Sequence, residues 1–277
     1  MTRRLFIFGL GFSGRVIARR LTAEGWAVAG TCRSGEAVDP PGIRVFAFDR
    51  DHPLPEGALA GTTHLLSTVP PDEGGDPVLD AVEALRPDWV GYLSTTGIYG
   101  DHGGGRVDET TPPAPAGERS RRRLAAERAW LASGLPVHIF RLAGIYGPGR
   151  SAIDGVRTGA ARRIVKPGQV FGRIHVEDIA RVVSASMARP RPGAIYNVAD
   201  DDPAPPQDVI LHACRLLGVE PPPEIPWNEG EAALSPMARS FFADNKRVGN
   251  DLIKRELGLR LLYPSYREGL AAILAGG

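Results

Sequence analysis

At 277 residues the chain is long enough for one large α/β domain, or for such a domain with a modest appendage. With 43% hydrophobic and 23% charged residues it reads as an ordinary soluble globular protein, and 33 Lys+Arg against 32 Asp+Glu leave a formal charge of +1. That balance supplies no field to draw the chain to nucleic acid or to an anionic membrane, so neither is expected as a partner.

The start, MTRRLFIFGLGFSG, is basic, but glycines break its apolar stretch and no cleavage-type ending follows, so no leader is expected. No apolar run is long enough to span a bilayer, and the cytoplasm is the expected location. RLFIFG predicts a first strand, and SGRVIARRLTAEG then carries apolar residues at helical spacing. WAVAGTCR, IRVFAFD, HLLSTV, WVGYLST, LPVHIFRLA and AIYNVA predict six further strands, with helices expected between them at about 77–85, 120–133 and 176–187. Near-continuous apolar strands alternating with helices predict an α/β fold, a parallel sheet of about seven strands covered on both faces.

Proline clusters at 112–115, 203–206 and 221–223 mark loops and edges. After Val198 the pattern is helix-rich, and QDVILHACRLLG and NDLIKRELG both end in glycine. This tail is expected to pack beside the sheet rather than to fold alone. Cys32 and Cys214 form no CxxC pair, which predicts free thiols in a reducing compartment. The six histidines lack HxxxH or HExxH spacing, and Asp200 to Asp202 lead into a proline loop with no EF-hand spacing, so no metal is expected.

GLGFSG places Gly9, Gly11 and Gly14 between a buried strand and an amphipathic helix, the context in which a GxGxxG pattern binds a dinucleotide. The first glycine permits the turn, the second lets a pyrophosphate approach the backbone, and the third lets helix and strand pack closely. Free amides at the helix start, from Phe12 and Ser13 onward, are expected to hold the phosphates. At the end of the second strand an acidic residue would hold the ribose hydroxyls of NAD; this chain has Arg33 and Ser34 instead. A guanidinium binds a 2′-phosphate bidentately, so NADP(H) is expected over NAD(H), although Arg33 also reads as an ordinary surface-loop residue.

Several further segments carry a resemblance. LSTTGIYGD, RLAGIYGPGR, RIHVEDIAR, IYNVADD and NKRVGNDLIKRELG, together with the glycine loop, resemble the extended short-chain dehydrogenase/reductases, the NAD-dependent epimerase/dehydratase family, from about Leu5 to Leu270. The resemblance implies a Rossmann-type doubly wound parallel sheet with a smaller interleaved C-terminal substrate domain. It divides the chain into a dinucleotide-binding unit, residues 1–145 with 174–198, and a substrate unit, residues 146–173 with 199–277. It implies a nicotinamide over the carboxyl ends of the fourth to sixth strands, Thr95 as the catalytic Ser/Thr, and Asp49 beside the adenine. Thr68, Val69 and Pro70 are placed where the chain passes the cofactor, and a homodimer through helices flanking the strands is a further implication.

The family's Tyr-x-x-x-Lys pair is absent. LAAE at 124–127 sets the register, which puts Arg119 at the tyrosine position and Arg123 at the lysine position, inside a stretch with four arginines between Arg119 and Arg123. The tyrosine exchanges a proton with a carbinol, and its phenol, with a pKa of about 10 in water, needs a nearby cation to work near neutrality. An arginine is always protonated and cannot be the base. Arg123 is expected to reach the cofactor as the lysine would, while the other arginines read as a solvated helix face, with Glu118 and Arg122 spaced for an i,i+4 pair. Tyr99, Tyr146 and His175 are the groups near the expected nicotinamide end that could supply a proton, and each also reads as a packing residue. Gly103 to Gly105 read as a mobile flap over the substrate cleft. Two functions stay open: an NAD(P)-dependent oxidoreductase, epimerase or dehydratase on a small polar or sugar-nucleotide substrate, or a binding protein that senses NADP(H) without turnover.

Overall fold

A computed structural model describes residues 3–36, 41–82 and 84–276. All seven expected strands form one sheet: β1 Arg4–Phe8, β2 Ala27–Cys32, β3 Arg44–Ala47, β4 His64–Ser67, β5 Trp89–Thr95, β6 Val137–Leu142 and β7 Ile195–Val198. Every pairing is parallel, and the spatial order is 3-2-1-4-5-6-7. The order reverses between β1 and β4, and in such sheets ligands bind in the crevice at the carboxyl ends of those strands.

Alternation along β1 shows how both faces are filled. Leu5 and Ile7 join one core with Ile17 and Leu21 of α1 (Phe12–Ala23) and Val182 and Val183 of the helix opened by RIHVEDIAR. Phe6 and Phe8 point the other way, into a second core with Val78, Ala126 and Trp130. α2 (Pro77–Ala81) is shorter than the helix expected over 77–85, where Glu83 lies outside the described residues. Asp76 caps α2 by accepting from the amides of Val78 and Leu79, and its other oxygen accepts from Trp130 Nε1 at 2.9 Å. One carboxylate thereby ties α2 to α3 (Glu118–Ala132).

The remaining helices are α4 Ala152–Arg157, α5 Val176–Ala188, α6 Pro206–Leu217, α7 Trp227–Gly230, α8 Pro236–Ala243, α9 Asp251–Leu257 and α10 Tyr266–Leu274. The expected glycine stops are present, with Gly218 and Gly258 in the left-handed region after α6 and α9. A third core, built from Tyr146, Ile153, Val209, Ala213, Tyr266 and Leu270, lies beside the sheet among α4, α6 and α10. Among the described residues no helix is long and apolar enough to cross a membrane, and no group of three or more His, Cys, Asp or Glu could hold a metal ion.

Candidate dinucleotide and substrate site

The glycine loop between β1 and α1 is stitched to both neighbouring strands. Gly9 adopts φ +91°, its amide donates to Thr31 Oγ1 at 3.0 Å, and its carbonyl accepts from Thr68 Oγ1 at 2.7 Å. A Cβ at Gly14 would lie 2.3 Å from the Gly9 carbonyl oxygen, so helix and turn touch backbone to backbone. At Gly11 a Cβ would meet nothing within 4 Å. Gly11 is also the N-cap, no side chain caps α1, and the first turn carries no acidic residue. The opening amides, at Phe12 and Ser13 among others, therefore have no intrahelical acceptor, and the partial positive charge there is uncompensated. That cradle suits the diphosphate of a nicotinamide dinucleotide.

At the adenosine end, Arg33 is exposed and has no partner among the described residues. Ser34 Oγ accepts from the Glu36 amide at 3.3 Å and lies 3.5 Å from Glu36 Oε2. Asp49 follows β3; its Oδ1 accepts from His52 Nδ1 at 2.8 Å and from the amides of Asp51 and His52 at 2.9 Å. The His52 ring, then those amides, hold this carboxyl below the usual carboxylate range. Thr68 and Val69 are half-buried and Pro70 is exposed where the chain leaves β4 beside Gly9.

Thr95 ends β5, half-buried, with its Oγ1 accepting from the Gly97 amide at 3.1 Å. A Cβ at Gly97 would lie 3.0 Å from Ser120 Oγ and 3.3 Å from Thr95 Oγ1, so two hydroxyls flank one glycine. Arg119, one residue before Ser120, is exposed and without a partner among the described residues. Arg123 is buried against β5, where its Nη1 donates to Tyr92 Oη at 3.1 Å and to the Leu93 carbonyl at 3.0 Å. Arg121 and Arg122 pair with Glu118, and Arg122 also with Glu73, as a solvated face should.

Behind Thr95 runs a buried network that the sequence analysis did not identify. Ser94 Oγ donates to Glu127, Glu127 is chelated by Arg141 with Nη2 at 2.8 Å, and Arg141 Nη1 donates to Tyr99 Oη at 2.9 Å. Tyr99 Oη in turn donates to Asn197 Oδ1 at 2.8 Å. The signal was an arginine in the middle of the apolar run LPVHIFRLA. Tyr99 is thus fully engaged in the frame under the site, and burial pushes its phenol up. The Gly103 to Gly105 segment, expected as a mobile flap, carries backbone bonds to a distant part of the chain. The amides of His102 and Gly104 both donate to the Asn245 carbonyl, and Arg106–Val107 pairs with Arg247–Val248. Backbone pairing with residues about 140 positions away holds it, a contact invisible in local composition.

Tyr146 and His175 are brought together, with ring centroids 5.1 Å apart: Tyr146 belongs to the third core, and His175, at the start of α5, packs its ring edge-on against it. Tyr146 Oη donates to the Ser265 carbonyl at 3.3 Å, and burial followed by the Asp200 and Asp178 charges pushes its phenol up. His175 caps α5, accepting from the Glu177 amide at 3.2 Å, and burial pushes it down to about 4. For both rings burial disfavours the charged form. A cavity of ≈ 550 Å³ opens next to them, lined by residues such as Arg150, Arg173, Val209 and Tyr266 and by no residue of the glycine loop or of the Thr95 turn.

Asp200, beside Arg173, is pushed up to about 8 by burial, against the pull of the Arg173 charge. Between the unfolded value of 3.8 and about 8 the folded chain binds more protons, so this group makes stability fall as pH rises through that window. His175 acts oppositely between about 4 and 6.5, but cancels when two variants that both keep it are compared. Asp200→Asn is therefore expected to gain on the wild type by more than about 1 kcal/mol between roughly pH 5 and pH 8, read by urea unfolding. A stability difference that stays flat with pH would contradict the placement of this carboxyl.

A family model described as the NAD dependent epimerase/dehydratase family matches residues 73–199. Protein YeeZ of Escherichia coli (strain K12) is 31% identical over 242 residues, which span 79% of this chain and 86% of that protein. A 3-diazoavenalumate denitrifying reductase from Streptomyces sp is 30% identical over 181 residues, 59% of this chain and 58% of the reductase. Among solved structures, a functionally unknown conserved protein from Silicibacter pomeroyi DSS superposes with a TM-score of 0.92 at 52% identity, over 99% of both chains.

Proposed function

This chain belongs to the NAD dependent epimerase/dehydratase family, and from that membership we propose that it is an NADP(H)-dependent oxidoreductase or epimerase/dehydratase with non-standard proton transfer, acting on a small polar or sugar-nucleotide substrate. The observation that carries the reading is the start of α1: an uncapped helix whose N-cap glycine faces open space and whose third glycine touches the first. Gly9, Gly11, Phe12, Ser13 and Gly14 would hold the diphosphate, Arg33 and Ser34 the 2′-phosphate. Asp49 would lie beside the adenine, with Thr68, Val69 and Pro70 along the cofactor and Arg123 beneath its nicotinamide end. A bound nicotinamide would supply hydride transfer. Thr95 accepts the Gly97 amide and so keeps its own proton to donate to a substrate oxygen, with Ser120 beside it. The reading includes a cytoplasmic location and a homodimer through the helices flanking the sheet.

One observation favours a second reading, a redox sensor that binds NADP(H) and turns nothing over. Arg119 stands where the family's tyrosine is expected and cannot accept a proton. Tyr146, in the third core, and His175, packed against it, are the other candidate proton donors, and burial disfavours the charged form of each.

The two readings separate in one series. NADPH and NADH are titrated by fluorescence, and cofactor absorbance is then followed across carbonyl and sugar-nucleotide substrates. The enzyme reading expects oxidation that Thr95→Ala lowers by roughly 100-fold while NADPH affinity is kept. Tight binding with no oxidation anywhere in the panel would sink it in favour of the sensor.

A further inference from the structure

The amides of the glycine loop lie against the carboxyl end of β2, where the Leu10 amide donates to the Thr31 carbonyl at 2.6 Å. In this fold that end of β2 meets the adenosine ribose. Two guanidinium groups flank it. Arg33 leaves β2 two residues after Thr31, exposed and without a partner among the described residues. Arg15 comes from the other side: it lies in the first turns of α1, yet its side chain folds back so that Nε donates to the Leu10 carbonyl at 3.0 Å. That bond fixes the plane of the fork beside the Leu10–Thr31 contact. Both of its Nη atoms have no acceptor among the described residues, and the side chain is exposed.

Charge also argues for a second cation. Glu36 is in the same turn as Arg33, and its carboxylate lies 3.5 Å from Ser34 Oγ. Arg33 and Glu36 alone would leave this turn without net charge, a poor partner for a phosphate monoester of charge about −1.5 to −2. Arg15 restores a net positive field and adds a donor fork of the geometry phosphate accepts.

We propose that Arg15 is a second specificity-determining residue of the dinucleotide site, closing with Arg33 on the 2′-phosphate of the adenosine ribose. The proposal rests on the NADP(H) reading and deepens it. The pair accounts for one arginine being held in place by a backbone carbonyl while the other has no partner among the described residues: one is set before the ligand arrives and the other closes onto it.

The test titrates the full chain and its variants with NADPH, NADH, 2′,5′-ADP and 5′-AMP. Arg15→Ala is expected to weaken NADPH and 2′,5′-ADP by roughly 10- to 100-fold and to leave NADH and 5′-AMP within about two-fold. Arg15→Lys, which keeps the charge without the fork, should recover part of the loss. An NADPH-to-NADH affinity ratio within about two-fold of the wild type in Arg15→Ala overturns the proposal, and if Arg33→Ala still shifts that ratio, the NADP(H) reading survives. Equal loss of all four ligands in both Arg15→Ala and Arg15→Met, which keeps the aliphatic stem, also overturns it, since that is the signature of a helix-start role. A wild type that prefers NADH, or binds neither dinucleotide, removes the NADP(H) reading and the proposal with it.

Discussion

Replacing Arg141 with methionine is expected to cost about 3–5 kcal/mol of unfolding free energy, measured by urea denaturation with an unchanged slope. Glu127 and Arg141 are 1% and 4% exposed, and the guanidinium meets the carboxylate through both Nε and Nη2. Removing the cation leaves a carboxylate buried with only the Ser94 hydroxyl, and strands Tyr99 Oη from one of its two partners. The double variant Glu127→Leu/Arg141→Met should recover much of the loss, because two apolar chains leave no orphaned charge. A loss below about 1 kcal/mol for Arg141→Met would mean that the pair is solvated, as exposed pairs are. Thr95 directly follows Ser94, so this frame also fixes the height of the site's threonine above the sheet.

The second large effect separates the glycines of the loop by what each one touches. Gly14→Ala forces a methyl to within 2.3 Å of the Gly9 carbonyl oxygen, and relief requires α1 to move off the turn. Both stability and dinucleotide affinity are expected to fall, stability by about 1–3 kcal/mol or more. Gly11→Val differs in kind. Gly11 has φ −81°, open to any residue, and its Cβ would meet no protein atom within 4 Å. The variant should melt within about 2 °C of the wild type yet lose dinucleotide affinity by roughly 100-fold, because its side chain fills the space a diphosphate needs. If Gly11→Val bound as tightly as the wild type, the diphosphate would not lie there.

How far the sequence carried these conclusions depended on the range of the contacts involved. The seven strands were legible because each is a short apolar run, buried on both faces in the centre of the sheet and half-buried in β2 and at the β3 edge, and the Gly218 and Gly258 stops because a left-handed residue after a helix favours glycine. The glycine turn was legible because Gly9, Gly11 and Gly14 are constrained by their own turn and by the helix that follows it. Pairings across the fold were not. Nothing local announced that Arg123 Nη1 would bond Tyr92 and Leu93 on β5. Tyr146 and His175 lie in segments with family-like motifs, but the burial that disfavours the charged form of each comes from packing that local sequence does not show. Glu127 served in the sequence only to fix a register; its partner Arg141 comes from another strand. Arg15 was overlooked because a charged residue inside an amphipathic helix reads as solvated face until its bond to the Leu10 carbonyl is seen.

The central claim is that the opening amides of α1 receive a dinucleotide diphosphate over Gly11, and calorimetric titration of the wild type and Gly11→Val with NADPH tests it most directly. Saturable binding at one site by the wild type, weakened by roughly 100-fold in a variant with an unaltered melting temperature, is the predicted result. No heat of binding to the wild type at millimolar NADPH, or equal affinities for the two proteins, would contradict it.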